Sequence, residues 1–339
     1  MIKALLSGDA PRSRLLAAIL LLVLIGLAAA PWVFPGTRAL NVAAKVAVFI
    51  VLAASYDLLL GYTGIVSFAH TMFFGIGGYG VGIAAAKLGA SWGSLALGVL
   101  LSFLLAVVLA LAIGLLSLRV RAIFFAMITL AVASFFQILA SQLSSFTGGE
   151  DGLNFRLPAV LHHRLTAYYI VFAVALALFL LLLRVVNSPF GRVLQSIREN
   201  EFRAEALGYR TVLYRSVANC LGALGATAAG VLYAIWLRYT GPATTLSFDI
   251  MIDLLLMVVI GGMGTLYGAA VGATLFVVAQ SYLQDLMKLA SDAAKGLPLL
   301  PELLHPDRWL LWLGVLFIVC VYYFPAGIVG RLRSMRRIG

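Results

Sequence analysis

The chain has 339 residues, of which 63% are hydrophobic and only 11% charged, with a formal net charge of +11. Soluble domains carry about a quarter charged residues, so this composition excludes a soluble fold and indicates a polytopic membrane protein. The basic excess requires no nucleic-acid partner, because membrane proteins concentrate Arg and Lys on one face and no basic run interleaved with aromatics occurs here.

Apolar runs of about 20 residues suffice to cross a bilayer. Ten are present, centred on residues 15–33, 39–60, 66–86, 92–117, 122–141, 167–186, 213–237, 249–262, 265–287 and 309–325. The first has a cleavage-like Ala28-Ala29-Ala30, but it is long for a signal peptide and further spans follow, so it reads as a retained helix. Only Gly61-Tyr62-Thr63-Gly64 separates the second and third runs, and only Gly261-Gly262-Met263-Gly264 the eighth and ninth. These two joins are either turns or breaks within the membrane.

Ten spans put both termini on one side. Fifteen basic residues then share that side, eight lie on the other, and Lys45 is left inside a span. Most acids outside residues 187–212, including Glu150, Asp151, Asp292, Glu302 and Asp307, fall with the smaller basic group. The positive-inside rule makes the termini cytoplasmic. Residues 1–339 read as a single all-α transmembrane domain, a helical bundle in the lipid bilayer. It has a cytoplasmic loop at 187–212 and outer loops at 141–165 and 290–307, the second outer loop carrying Pro298, Pro301 and Pro306.

The stretch NSPFGRVLQSIRENEFRAEALGYRTV (187–212) cannot sit in lipid. It carries four Arg and three Glu between Arg192 and Arg210, and each charge at the bilayer centre costs at least ~2.5 kcal/mol. It still reads as a helix. Ser188 is the N-cap before Pro189, Gly208 supplies the stop, and Glu199 and Arg203 are four apart in the favourable order. Val193, Leu194, Ile197, Phe202, Ala204 and Leu207 supply apolar positions. Such a helix lies on the membrane surface or docks into another protein. A plain solvated loop helix fits the pattern equally well.

Polar groups gather at the first glycine join: Asp57, Tyr62, Thr63, Ser67 and His70 fall within fourteen residues. Ionisable groups inside membranes face a cavity or the bundle interior, and transporters break helices where freed backbone meets substrate. Asp57, Gly61, Tyr62, Thr63, Gly64, Ser67 and His70 are therefore candidates for a substrate path, with Gly261, Gly262 and Gly264 from the second join. The alternative places Asp57 at a helix end and makes His70 a hydrogen-bonded core residue. Gly264, Gly268 and Gly272, and likewise Gly78 and Gly82, have the four-residue spacing of close helix packing. Asp253 precedes Leu-Leu-Leu as Asp57 does, an echo that reads as coincidence because the two spans run the same way.

No GxxxxGK[ST] occurs, no lysine follows a glycine, and there is no HExxH or Ser/His/Asp arrangement. Cys220 and Cys320 lie in apolar segments without a CxxC partner. No metal site or catalysis is expected of this chain.

On four motifs the chain resembles the permease subunits of branched-chain amino acid ABC importers, in particular the LivM-like half of the paired permease. These are GYTGIVSFAHTMFFGIGGYG (61–80), TGGEDGL (147–153), SPFGRVLQSIRENEFRAEALGYR (188–210) and VVIGGMGTLYGAAVGA (258–273). The resemblance implies a transporter subunit of the bacterial cytoplasmic (inner) membrane, not an enzyme. It also implies a second homologous permease subunit, two cytosolic ABC ATPases and an extracytoplasmic substrate-binding protein. The chain itself would bind no cofactor, ATP and Mg being used by the partner ATPases. Glu205, Ala206 and Gly208 would carry over as coupling residues, on a helix that also presents Arg198, Glu199 and Glu201 to the ATPase. Asn219 and Cys220 depart from the family's plain apolar pattern, and related permeases carry urea, short amides or aromatic compounds. A self-sufficient secondary transporter would leave the charged helix without a role.

Overall fold

The computed structural model describes residues 13–33, 36–117, 122–293, 305–324 and 327–334. Most of the 290–307 loop, with Pro298 and Pro301, lies outside the described residues. So do Lys3, Arg12, Arg119, Arg121, Lys295, Glu302, Arg336 and Arg337 of the charge comparison.

The described residues form ten apolar segments long enough to cross a membrane, the eighth counted from Pro242 and the tenth from Pro306. Their helices are α1 (Arg14–Val33), α2 (Thr37–Thr63), α3 (His70–Leu88), α4 (Trp92–Ser117), α5 (Ala122–Gln142) and α6 (Arg164–Val186). Two short helices follow, α7 (Pro189–Glu199) and α8 (Glu201–Ala206). Then come α9 (Thr211–Leu237), α10 (Phe248–Gly261), α11 (Leu266–Ala293), α12 (Trp309–Tyr323) and α13 (Gly327–Ser334). Each predicted span has its helix, because hydrocarbon thickness sets run length and leaves the backbone no partner but itself.

Helix α2 is the axis of the bundle: every residue from Val46 to Leu59 is buried, against α6, α9 and α11. By contrast α1, α4, α5 and α12 turn long apolar faces outward, with Leu22, Leu100, Ile123 and Ile318 more than half exposed. Those faces require lipid or another apolar surface.

Helices α3 and α9 pack backbone to backbone. A Cβ on Gly77 would strike the Thr227 carbonyl, and one on Gly230 the Phe74 carbonyl. The spacing argument placed this role on Gly78 and Gly82; these instead admit Thr240 and Phe155 from the connecting segments. Gly268 and Gly272 do pack against Gly261, but Gly264 has φ +80° and belongs to the turn before α11, not to its face.

At the opposite end from α7, the 141–165 loop is folded, not a slack connector. Strand β1 (Leu153–Asn154) pairs antiparallel with β2 (Tyr239–Thr240), Leu153 opposite Thr240. Thr147 donates to Ala140 O at 2.6 Å, and Tyr239 Oη to Asp151 O at 3.0 Å.

Candidate functional site

The charged stretch is two helices, not one. Pro189 opens α7 as expected, but Ser188 Oγ donates to Val185 O at 2.6 Å and makes no side-chain cap bond. Asn200 ends α7, and its Oδ1 accepts from Arg203 N at 2.9 Å to begin α8. An Asn side chain offers the backbone a local partner that competes with helix continuation. Glu199 and Arg203 therefore sit on separate helices and out of i,i+4 register. Gly208, at φ +90°, stops α8: its amide donates to Glu205 O and that of Tyr209 to Ala204 O, a Schellman closure.

Leu194 and Ile197 of α7 and Ala204 of α8 are buried and seat the pair on the bundle. Phe202 and Leu207 point away, 85% and 70% exposed. Glu201 is ion-paired to Arg215 of α9, and Glu205 Oε1 accepts from Thr211 Oγ1 at 2.7 Å. Both carboxylates thus hold α8 to the start of α9. Glu199, Ala206 and Gly208 are exposed.

Arg198 is exposed along its length, but its guanidinium reaches inward. Its Nη1 donates to the carbonyl of Gly61 near the end of α2. A Cβ on Gly64 would lie 3.3 Å from Arg198 Cγ, and one on Gly264 2.9 Å from Nη1. Gly264 N donates to Asp57 Oδ1 at 2.8 Å, so a carboxylate from α2 stands at the positive N-terminal end of α11. A Cβ on Gly61 would fall onto that carboxylate and the Gly264 amide. Both glycine joins, Asp57 and the extra-bundle helix therefore meet in one knot. Gly261 and Gly262 lie beside it, where α13 begins at Gly327.

Beyond Gly64, itself at φ +74°, residues 65–69 run without helix back into the bundle, with Ile65, Ser67 and Ala69 buried. His70 then starts α3 beside Ser55, which lies eight residues, about 12 Å along α2, before Thr63. The first join is thus a break that re-enters the bundle. The second is a tight turn at its end.

Ser55 Oγ donates to Leu52 O at 2.8 Å and lies 3.1 Å from His70 Nε2. His70 Nδ1, Tyr56 Oη and Ser67 Oγ are buried without a hydrogen-bond partner among the described residues. Thr63 Oγ1 turns back to Leu59 O at 2.7 Å, and Tyr62 is buried.

Sequence reading missed a second polar group on the same helices. Lys45 of α2 donates to Gln280 Oε1 of α11 at 2.8 Å, and Gln280 Nε2 to Asp253 Oδ2 of α10 at 3.2 Å. The signal was present in an unpaired Lys and an Asp within apolar runs, but nothing local says that their faces meet.

Ten apolar spans among the described residues, with buried α2 and the break before α3 at their centre, and a charged helix pair outside the bundle, define a multi-pass helical membrane protein. The chain belongs to the family described as branched-chain amino acid transport system / permease component, which matches residues 38–321. It is 26% identical to the probable branched-chain amino acid transport permease protein LivM of Methanocaldococcus jannaschii, over 83% of this chain and 90% of that one. It is 24% identical to the high-affinity branched-chain amino acid transport system permease protein LivM of Salmonella typhimurium (90% and 76%) and of Escherichia coli (86% and 74%). No solved structure gives a significant match. The protein is a multi-pass permease of the cytoplasmic membrane and a transport subunit.

Proposed function

We propose that the chain is the membrane-spanning half-channel of an ATP-driven importer for branched-chain or other hydrophobic amino acids. The observation that carries this reading is the Arg198 knot: a helix outside the bundle bonds Gly61 of the first glycine join, where Asp57 holds Gly264 of the second. A cytosolic ATPase receives α7–α8 in a groove, with Phe202 and Leu207 as apolar knobs and Glu199, Glu205, Ala206 and Gly208 around them. ATPase closure moves α7, Arg198 pulls on Gly61 and Gly264, and the re-entrant segment around Ser67 and His70 shifts between states. Both termini face the cytoplasm. The folded 141–165 loop faces outward, toward a substrate-binding protein, and a second permease subunit covers one of the exposed apolar faces. ATP and Mg are bound by the ATPases.

The test is to purify the tagged chain from its native membrane in mild detergent and assay the eluate for ATP hydrolysis. Co-elution of a second permease and of active ATPase chains is expected. A chain that elutes alone, and inactive, would count against the reading.

A further inference from the structure

We propose that Lys45, Asp253 and Gln280 form a way-station for the zwitterionic head of an α-amino acid, with Gln280 holding its place when the site is empty. The inference rests on the importer reading above and adds a substrate site to it.

The three residues come from α2, α10 and α11, the helices that also build the Asp57–Gly264 contact twelve residues further along α2. All three are partly exposed, although they lie on spanning helices. Ionisable groups at that depth do not face lipid, so this side of the bundle turns toward water or toward a protein-covered passage. On the same helices, seven residues before Lys45, Arg38 pairs with Asp285 at 2.6 Å, both more than half exposed. Two turns separate these levels, about 10 Å. A polar strip therefore descends between α2 and α11 from the end opposite α7.

The order of groups along the chain of bonds is the central point. An ammonium only donates and a carboxylate only accepts, so the Gln280 amide is oriented with its oxygen to Lys45 and its nitrogen to Asp253. Here a neutral amide stands between the two charges. That amide offers an acceptor to the cation and a donor to the anion, as the carboxylate and ammonium of a free amino acid do. When the substrate displaces it, its carboxylate meets Lys45 and its ammonium meets Asp253. The number of hydrogen bonds is conserved, and each becomes charge-assisted on both sides.

The experiment uses the assembled complex in proteoliposomes with its binding protein and radiolabelled leucine. Lys45→Met and Asp253→Asn should each lower uptake at least about tenfold, the size of a lost charge-assisted hydrogen bond, with assembly and thermal stability retained. Gln280→Ala removes the group that competes with substrate, so it should lower the leucine concentration for half-maximal uptake about threefold, the size of one net hydrogen bond, with assembly retained. Wild-type uptake by Lys45→Met overturns the site. So does a matched loss of stability in all three variants, with uptake following the amount of folded complex. A second arm covers variants that fail to assemble: Gln280→Cys should react with a charged thiol reagent, and saturating leucine should slow that reaction. A cysteine that stays unmodified, or is modified at the same rate with leucine, also overturns the site. If the wild-type complex takes up neither leucine nor any other branched-chain or hydrophobic amino acid, the importer reading falls and the site with it. Leucine uptake indifferent to these residues removes the site alone.

Discussion

A carboxylate buried in a membrane bundle needs a substitute for water, and for Asp57 that substitute is the amide of Gly264, 2.8 Å away. Asp57→Leu removes the acceptor and leaves the amide unsatisfied, a cost of about 1–3 kcal/mol. The thermal midpoint of the purified protein in detergent should fall accordingly; an unchanged midpoint would mean the contact contributes nothing. Gly61 is constrained from the other side, because a Cβ there overlaps the Asp57 carboxylate and the Gly264 backbone. Gly61→Ala is expected to destabilise by at least ~1–3 kcal/mol, as overpacked cores do. A Gly61→Ala protein with wild-type stability and uptake would show that the knot yields freely.

The helix pair α7–α8 presents two unlike faces, and they make separable predictions. Phe202 touches solvent with most of its surface. Phe202→Ala should leave the thermal midpoint unchanged while weakening ATPase association about tenfold, the usual size of an aromatic anchor. Equal association measured by co-purification or titration would remove Phe202 from the docking surface. Glu205 is a less clean probe, since its carboxylate also holds Thr211 at the start of α9. Arg198 is exposed too, but its guanidinium reaches back to the bundle, and it calls for a different outcome. Arg198→Gln should retain assembly and ATP hydrolysis but lose most uptake, because the bond to Gly61 is weakened while Phe202 and Leu207 are untouched. Assembly lost together with uptake would place Arg198 at the ATPase surface instead.

On the scale of the whole molecule, what could be read from sequence follows from which constraints are local. Spans such as Thr37–Thr63 and Thr211–Leu237 were legible because hydrocarbon demands an uninterrupted apolar helix of set length. The stop at Gly208 was legible because a left-handed closure favours glycine. The break at Asn200 was not, since the choice between continuing a helix and capping a new one differs by little free energy and depends on seating Leu194 and Ala204 together. The candidate residues of the coupling stretch and of the glycine joins were named separately. Their meeting at Arg198 spans 137 residues and depends on which helices are neighbours. The same holds for Lys45, Gln280 and Asp253, three polar positions scattered over apolar runs until the fold turns their faces together.

In the proposed mechanism this chain moves cargo only when a separate ATPase drives it through α7–α8. Its most direct test is leucine accumulation in proteoliposomes, comparing the chain alone with the co-purified complex, binding protein supplied, with and without internal ATP. No accumulation by the chain alone and ATP-dependent accumulation by the complex are expected. Accumulation by the chain alone without ATP would contradict this mechanism.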